Sequence, residues 1–136
     1  MAEVVIVGFT GTRRGMTAYQ KAKLRELLEE SGCIRFHHGD CLGADAEAHD
    51  IAADLGLRTI VHPPDITTYR AWCKGTVVRP ERPYLTRNRD IVLECDVLFA
   101  APAQALEIQR SGTWSTVRVA RKLDRPVCII SPEELT

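Results

Sequence analysis

Short apolar runs alternate along this chain with longer segments whose apolar residues recur at helical spacing. The first run, Val4–Val7, is continuously apolar, which is typical of a central parallel strand covered on both faces, and Gly8 ends it. Thr17 and Gln20 then form a capping box ahead of a helical apolar set, and Gly32 is a good stop. The pattern therefore predicts a strand followed by a helix over Thr17–Ser31.

The same alternation continues towards the end of the chain. Further strands are predicted over Ile34–His37, Arg58–Val61, Val97–Ala101 and Val127–Ile130. Further helices are predicted over Ala44–Leu55, Leu85–Cys95 and Thr113–Leu123. Residues 65–83 show no period, so we expect a long loop there, with one helical turn near Tyr69–Cys73.

This order of elements predicts an α/β fold in which a doubly wound, Rossmann-like parallel sheet is flanked by helices. We expect five strands in the order 3-2-1-4-5, numbered along the chain, with a ligand crevice at the reversal between the first and the fourth. The length of 136 residues suits a single domain over residues 1–136.

Two loops rich in glycine follow strands directly and precede helices, an arrangement that brings backbone N–H groups close to a phosphate. The first loop lacks both the Gly-Lys-Ser/Thr end of a P-loop and GxGxxG spacing, so an ATP or NAD site is disfavoured and no cofactor is predicted. The alternative to a phosphate site is a tight turn with a solvated arginine. The ligand-binding candidates of this loop are Gly8, Thr10, Gly11, Thr12 and Arg13.

The second loop places two carboxylates beside its glycines. Asp40 lies in the turn, where it can accept a hydrogen bond from a ribose hydroxyl or an exocyclic amine. Asp45 lies in the first helical turn, where it either does the same or caps its own helix. The ligand-binding candidates of this loop are Gly39, Asp40, Gly43, Ala44 and Asp45.

Two further helix starts are expected at the same crevice. Arg87 and Asn88 open the helix after the long loop, where a basic side chain either points at a phosphate or lies on the helix surface. Ser111, Gly112 and Thr113 open the last helix, where free N–H groups either bind an anion or are simply capped. Tyr69 and Trp72 either stack on a base or pack on the domain.

Composition narrows the class of partner. Lysine plus arginine balance aspartate plus glutamate at 18 each, which disfavours nucleic acid and anionic membranes. Five cysteines without CxxC spacing predict a reduced, cytoplasmic protein, and no apolar run has the length of a membrane span. The four histidines are scattered or adjacent on opposite strand faces, so no metal site is predicted.

Taken together, these segments resemble the SLOG superfamily, named for the DprA/SMF and LOG proteins, and most closely its YspA-like branch of the DUF2493 type. The segments that carry the resemblance are GFTGTR, HGDCLGAD, Trp72, TRNRDIVLECD and SGT. The resemblance implies a Rossmann-like fold that binds a nucleotide or a nucleotide-derived ligand as a sensor or carrier. It also implies a homodimer paired through helices that flank the sheet.

The LOG enzymes of this superfamily cleave the N-glycosidic bond of nucleoside monophosphates, using an arginine and a glutamate. Arg87 matches that arginine, whereas Thr116 stands where the glutamate would be. A threonine cannot stabilise a developing ribosyl cation. We therefore expect ligand binding. The alternative is a phosphoribohydrolase in which Asp40 or Asp45 supplies the missing carboxylate, with Asp40 and Arg87 as the catalytic candidates, and a DNA-binding module of the DprA kind is a third possibility.

Overall fold

The computed structural model of the protein describes residues 5–134. Its strands are β1 (Val5–Gly11), β2 (Cys33–His38), β3 (Arg58–Val61), β4 (Val77–Val78), β5 (Val97–Ala101) and β6 (Val127–Ile129). Its helices are α1 (Ala18–Ser31), α2 (Ala44–Asp54), α3 (Tyr84–Glu94) and α4 (Gly112–Lys122). All strand pairs are parallel, and the sheet has the order β4-β3-β2-β1-β5-β6.

The predicted Rossmann-like α/β fold is confirmed, with one correction to the strand count. The sheet has six strands because Val77 and Val78, inside the predicted long loop, pair with Ile60 and Val61 at the edge. A strand of two residues is too short to show a period, so the pattern could not indicate it. The five predicted strands keep their expected relative order.

Several boundaries also differ from the prediction. Val4 lies outside the described residues, and β1 continues past Gly8 because residues up to Gly11 pair with β5. The expected helical turn near Tyr69–Cys73 is absent, and Arg70 instead forms an isolated bridge with Cys41. The capping box of α1 is present, with Thr17 and Gln20 exchanging hydrogen bonds before the helix ends at Gly32.

Helices cover both faces of the sheet, and each face has its own apolar core. Side chains of successive strand residues point to opposite faces, so Phe99 packs into one core while Leu98 packs into the other. The first core contains Leu24 and Leu28 of α1, and the second contains Trp114 of α4. Among the helices within residues 5–134, none has the length and apolar character needed to cross a membrane.

The order in which the chain adds strands to the sheet reverses at β1. β2 lies on one side of β1 and β5 lies on the other, so the connection that leaves the carboxyl end of β2 and the one that leaves the carboxyl end of β5 diverge to opposite faces. Such a divergence leaves a crevice at the carboxyl edge of the sheet.

Candidate functional site

A cleft with a volume of about 850 Å³ lies at this reversal. Its walls come from the loop after β1, the loop after β2, the long loop after β3, the first turns of α3 and the segment that leads into α4. The sequence-predicted residues that line it are Thr10, Gly11, Thr12, Arg13, Gly39, Asp45, Arg87, Asn88, Ser111, Gly112 and Thr113. Segments distant in sequence therefore meet in one cavity.

Gly8, Gly43 and Ala44 do not line the cavity wall, and each has a packing role instead. Gly8 lies under α3, where a Cβ would come within 2.9 Å of Cys95 Sγ. Gly43 has φ +88°, and a Cβ there would collide with the backbone of Arg13. The Ala44 N–H donates to the Thr12 carbonyl at 2.9 Å. The close approach at Gly43 and the Ala44 hydrogen bond hold the first two loops against each other.

Asp40 also lies away from the cavity, which corrects the expectation that it faces a ligand. Its carboxylate is fully buried and accepts hydrogen bonds from Arg70 Nε and from the Cys73 N–H, each at 2.8 Å. Its backbone carbonyl accepts from the Ala71 N–H at 2.7 Å. The two carboxylate oxygens are thus engaged by the long loop, and Asp40 fixes that loop as a wall of the cleft.

Asp45 is the carboxylate that does line the cavity, and it is 5 % exposed. Its Oδ2 accepts from the N–H groups of Gly39 at 3.1 Å and Cys41 at 3.3 Å, so it bonds the preceding turn and does not cap its own helix. Its buried Oδ1 has no partner among the described residues. Burial raises the pKa of Asp45 from its ordinary value of 3.8 to about 6, while Arg87 and the two N–H groups oppose the rise.

Arg87 is held rigidly at the floor of the cleft, where it is 5 % exposed. Its Nη1 donates to the carbonyls of Gly39 and His62, and its Nε donates to Asn88 Oδ1 at 2.8 Å. Its Nη2 has only a weak contact, with Cys41 Sγ at 4.0 Å. The guanidinium is therefore positioned by backbone oxygens and keeps donor capacity at Nη2.

The charge of the cleft is strongly positive. Arg13, Arg14, Arg87 and Arg110 line it, and Asp45 is the one acidic side chain among its lining residues. None of these arginines has an ion-pair partner within residues 5–134. Six arginines outside the cleft are paired with carboxylates, whereas four others, Arg35, Arg58, Arg89 and Arg125, have no such pair within residues 5–134; the paired ones are Arg25, Arg70, Arg79, Arg82, Arg118 and Arg121. The cleft therefore offers uncompensated guanidinium groups to an anion.

The start of α4 adds backbone donors to the same cavity. Ser111 Oγ accepts from the Trp114 N–H at 3.2 Å, and the first helical bond runs from the Ser115 N–H to the Ser111 carbonyl at 2.8 Å. The N–H groups of Gly112 and Thr113 precede that bond, so the helix itself gives them no acceptor. Ser111 is thus a helix cap, and the two residues after it leave backbone N–H groups available at the cleft, where the helix dipole favours negative charge.

The aromatic residues of the long loop have different positions. Tyr69 lines the cleft and lies under the Arg13 guanidinium, 4.0 Å from the ring centre. Trp72 lies outside the cleft, is 59 % exposed and stacks on Arg70. Tyr69 alone of the two is placed to contact a ligand. Tyr84 is a further lining residue that sequence reasoning missed, since no motif marks it.

The histidines form two buried pairs that the sequence did not indicate, because their members are far apart along the chain. His37 Nδ1 lies 2.8 Å from His62 Nε2, and His38 Nε2 lies 2.9 Å from His49 Nδ1. The Asp40 N–H donates to His38 Nδ1, so His38 Nε2 carries the proton and donates to His49. Both ring nitrogens of His38 are thus used within the fold, which argues against a metal ligand there.

No model of a known protein family matches the chain, and no curated protein sequence matches it either. Several solved structures, however, are similar to this chain. The molybdenum cofactor binding protein from Rippkaea orientalis has a TM-score of 0.71 and 22% identity, over 95% of this chain and 77% of that one. The Moco carrier protein from Chlamydomonas reinhardtii has a TM-score of 0.65 and 27% identity, over 94% and 76%.

DNA processing protein A from Helicobacter pylori, whose structure concerns its single-stranded DNA binding mode, has a TM-score of 0.67 and 23% identity. The match covers 92% of this chain and 64% of that protein, so this chain spans less than two thirds of its length. These similarities show that the chain shares the fold of these proteins.

Proposed function

We propose that the cleft binds a phosphorylated nucleotide or nucleotide-derived ligand, and that the chain acts as a sensor or carrier of it within the SLOG superfamily, in its YspA-like branch. The observation that carries the proposal is the set of cleft arginines without ion-pair partners. Leaving guanidinium groups uncompensated around one cavity costs self-repulsion, and an anionic ligand removes that cost. The shared fold with cofactor carriers and DprA proteins supports the superfamily assignment.

The phosphate, the sugar and the base of the ligand each contact a different part of the cleft. Its phosphate lies against the loop after β1, with Arg13, and against the N–H groups of Gly112 and Thr113. Its sugar lies toward Gly39 and Asp45, between that phosphate and Arg87. Tyr69 and Tyr84 offer flat apolar surface to a base.

Calorimetry of the purified chain with the 5′-monophosphates of adenosine, guanosine, cytidine and uridine tests this proposal. We expect at least one to bind, with affinity that falls as salt rises, because arginine–phosphate attraction is screened. The molybdenum cofactor and a single-stranded oligonucleotide are the matched competitors, since the structural neighbours are described by those ligands. Binding of the oligonucleotide alone would reject the small-ligand proposal.

A phosphoribohydrolase is the second candidate, and one observation favours it. Asp45 is a cleft carboxylate beside Arg87, and burial raises its pKa to about 6, within the range of a general acid or base. Asp40, the earlier candidate, is engaged by Arg70 and Cys73. Against hydrolysis, the Thr116 hydroxyl donates to the Gly112 carbonyl at 3.1 Å and offers no carboxylate.

Chromatography of the same monophosphates after incubation with the protein separates the two candidates. We expect no free base, because losing the carboxylate that stabilises a ribosyl cation costs roughly a hundred- to a thousand-fold in rate. Base release that Asp45→Asn or Arg87→Ala abolishes would promote the hydrolase.

The proposal also includes a homodimer, as the superfamily resemblance implies. The surface that suits it is the outer side of α3, where Leu85 is 74 % exposed and Leu93 is 45 % exposed. Light scattering at micromolar concentration measures the mass directly. A value near 15.2 kDa would reject the dimer.

A further inference from the structure

We propose that Asp45 makes the cleft selective for a ligand that offers a single hydroxyl donor beside its anionic group, and that this donor is one hydroxyl of a ribose. The inference rests on the proposed function, since it names the part of the phosphorylated ligand that this carboxylate contacts.

The first step is the free oxygen of Asp45. Buried carboxylate oxygens in folded proteins almost always have hydrogen-bond partners, yet Asp45 Oδ1 has none among the described residues. The residue lines the cleft, and Oδ1 is the atom of its carboxylate that the fold leaves without a partner. A carboxylate oxygen only accepts, and the ligand must therefore donate.

The second step is that only one of the two oxygens is free. Asp45 Oδ2 already accepts two hydrogen bonds, from the N–H groups of Gly39 at 3.1 Å and Cys41 at 3.3 Å, which fill its two acceptor positions. The amidine edge of a guanine or a pterin presents two parallel N–H donors and needs both oxygens. A lone O–H donor matches the single acceptor that remains.

The third step is the position of the Asp45 carboxylate beside the Arg87 guanidinium. Gly39 lies next to both, and a Cβ built on it would be 2.7 Å from Arg87 Nη1 and 3.1 Å from Asp45 Oδ2, the oxygen already bonded to the loop. A guanidinium donor and a carboxylate acceptor on either side of one glycine suit a sugar, which offers an oxygen to the first and a hydroxyl donor to the second. Asp40, the other nearby carboxylate, does not compete because Arg70 and Cys73 occupy it.

Calorimetry with matched nucleotides tests the inference on the full chain. The probes are the four ribonucleoside 5′-monophosphates, each beside its 2′-deoxy and 3′-deoxy counterpart. We expect the ribonucleotide to bind about 10- to 100-fold more tightly than one deoxy counterpart, the range of a hydrogen bond to a charged group, and about as tightly as the other. One free acceptor oxygen predicts sensitivity to one hydroxyl only.

The variant Asp45→Asn replaces the free acceptor with an amide while its carbonyl still accepts from the loop. It is expected to bind the ribonucleotide as weakly as the sensitive deoxy counterpart. Asp50→Asn, at an exposed carboxylate of the same helix outside the cleft, is the matched control and is expected to keep the selectivity. Circular dichroism shows whether both variants are folded.

The outcomes separate the inference from the function on which it rests. Equal binding of ribonucleotides and both deoxy series overturns the role of Asp45 and leaves nucleotide binding intact. Selectivity that persists in Asp45→Asn also overturns it. Failure of every monophosphate to bind the unmodified chain overturns the proposed function and the inference with it.

Discussion

The ionised carboxylate of Asp45 lowers the stability of the folded protein. Burial raises its pKa from 3.8 to about 6, a change that corresponds to about 3 kcal/mol against the folded state when the carboxylate is ionised. The groups that face it are Arg87, Asp40 and the N–H groups of Gly39 and Cys41. A buried carboxylate with a raised pKa in a cleft is the kind of group that the proposed binding role uses.

Asp45→Asn is therefore expected to stabilise the unliganded protein at pH 7 by about 1 to 3 kcal/mol. The folded pKa is raised, so the folded state binds more protons than the unfolded state between pH 3.8 and about 6. The cost is present above pH 6 and fades as the pH falls to 3.8. Urea unfolding across this range measures it, and a gain that stayed constant with pH would contradict the assignment to ionisation.

In the proposed function Arg13 binds the phosphate without supporting the fold, since its side chain is exposed and rests on Tyr69. Arg13→Ala is expected to weaken binding of a monophosphate by about 1.5 to 3 kcal/mol, the scale of a charge-assisted hydrogen bond. Calorimetry measures the loss. Arg58→Ala is the control that is expected to leave the affinity unchanged. Arg58 begins β3 and so lies at the amino edge of the sheet, whereas the cleft lies at the carboxyl edge.

At the scale of elements, the wall of the cleft depends on how the long loop is attached. The Asp40 carboxylate bonds Arg70 and the Cys73 N–H, and the backbone adds bonds from Leu42 to Tyr69 and from Ala71 to Asp40. The loop is thus held by buried groups at its middle and by β4 at its end.

Asp40→Asn is expected to destabilise the protein by about 3 kcal/mol, because it leaves the nearly buried Arg70 without its main partner. Glu81 is a second, exposed partner of the same arginine, and Glu81→Gln is expected to cost less than about 1 kcal/mol. Unfolding midpoints compare the two, and hydrogen exchange at Ala71 and Cys73 reports the loop itself. Equal effects of the two variants would show that the loop does not depend on Asp40.

The elements also show what a sequence can and cannot predict. Runs such as Arg58–Val61 and the Thr17 cap were predicted correctly, because period and capping are local properties. The different surroundings of Asp40 and Asp45 were not predicted, because Asp40 bonds to an arginine thirty positions away in a loop with no period. β4 and the histidine pairs depend on the same kind of distant contact.

At the scale of the whole molecule, buried neutral histidines make the fold sensitive to acid. Burial lowers the pKa of His37 to about 4 and that of His62 to about 3, and it lowers the pKa of His38 well below its ordinary value. These pKa values are depressed on folding, so the unfolded state binds more protons below about pH 6.5, and stability falls as the pH falls.

Between pH 7 and pH 5 the free energy of unfolding is expected to fall by about 2 kcal/mol for each of His37 and His62, with Asp45 offsetting about 1 kcal/mol. Urea unfolding at the two pH values measures the sum. His62→Gln is expected to flatten the dependence. Stability that does not change over this range would contradict buried, neutral histidines.

Native mass spectrometry shows whether the arginine-lined cleft binds a phosphorylated nucleotide. The protein is sprayed as purified and again after addition of the four ribonucleoside monophosphates. We expect a mass above that of the bare chain or dimer, by the mass of one phosphorylated small molecule per chain, which disappears on denaturation and is reduced in Arg13→Ala. The bare mass in both samples would show that the cleft binds none of these ligands.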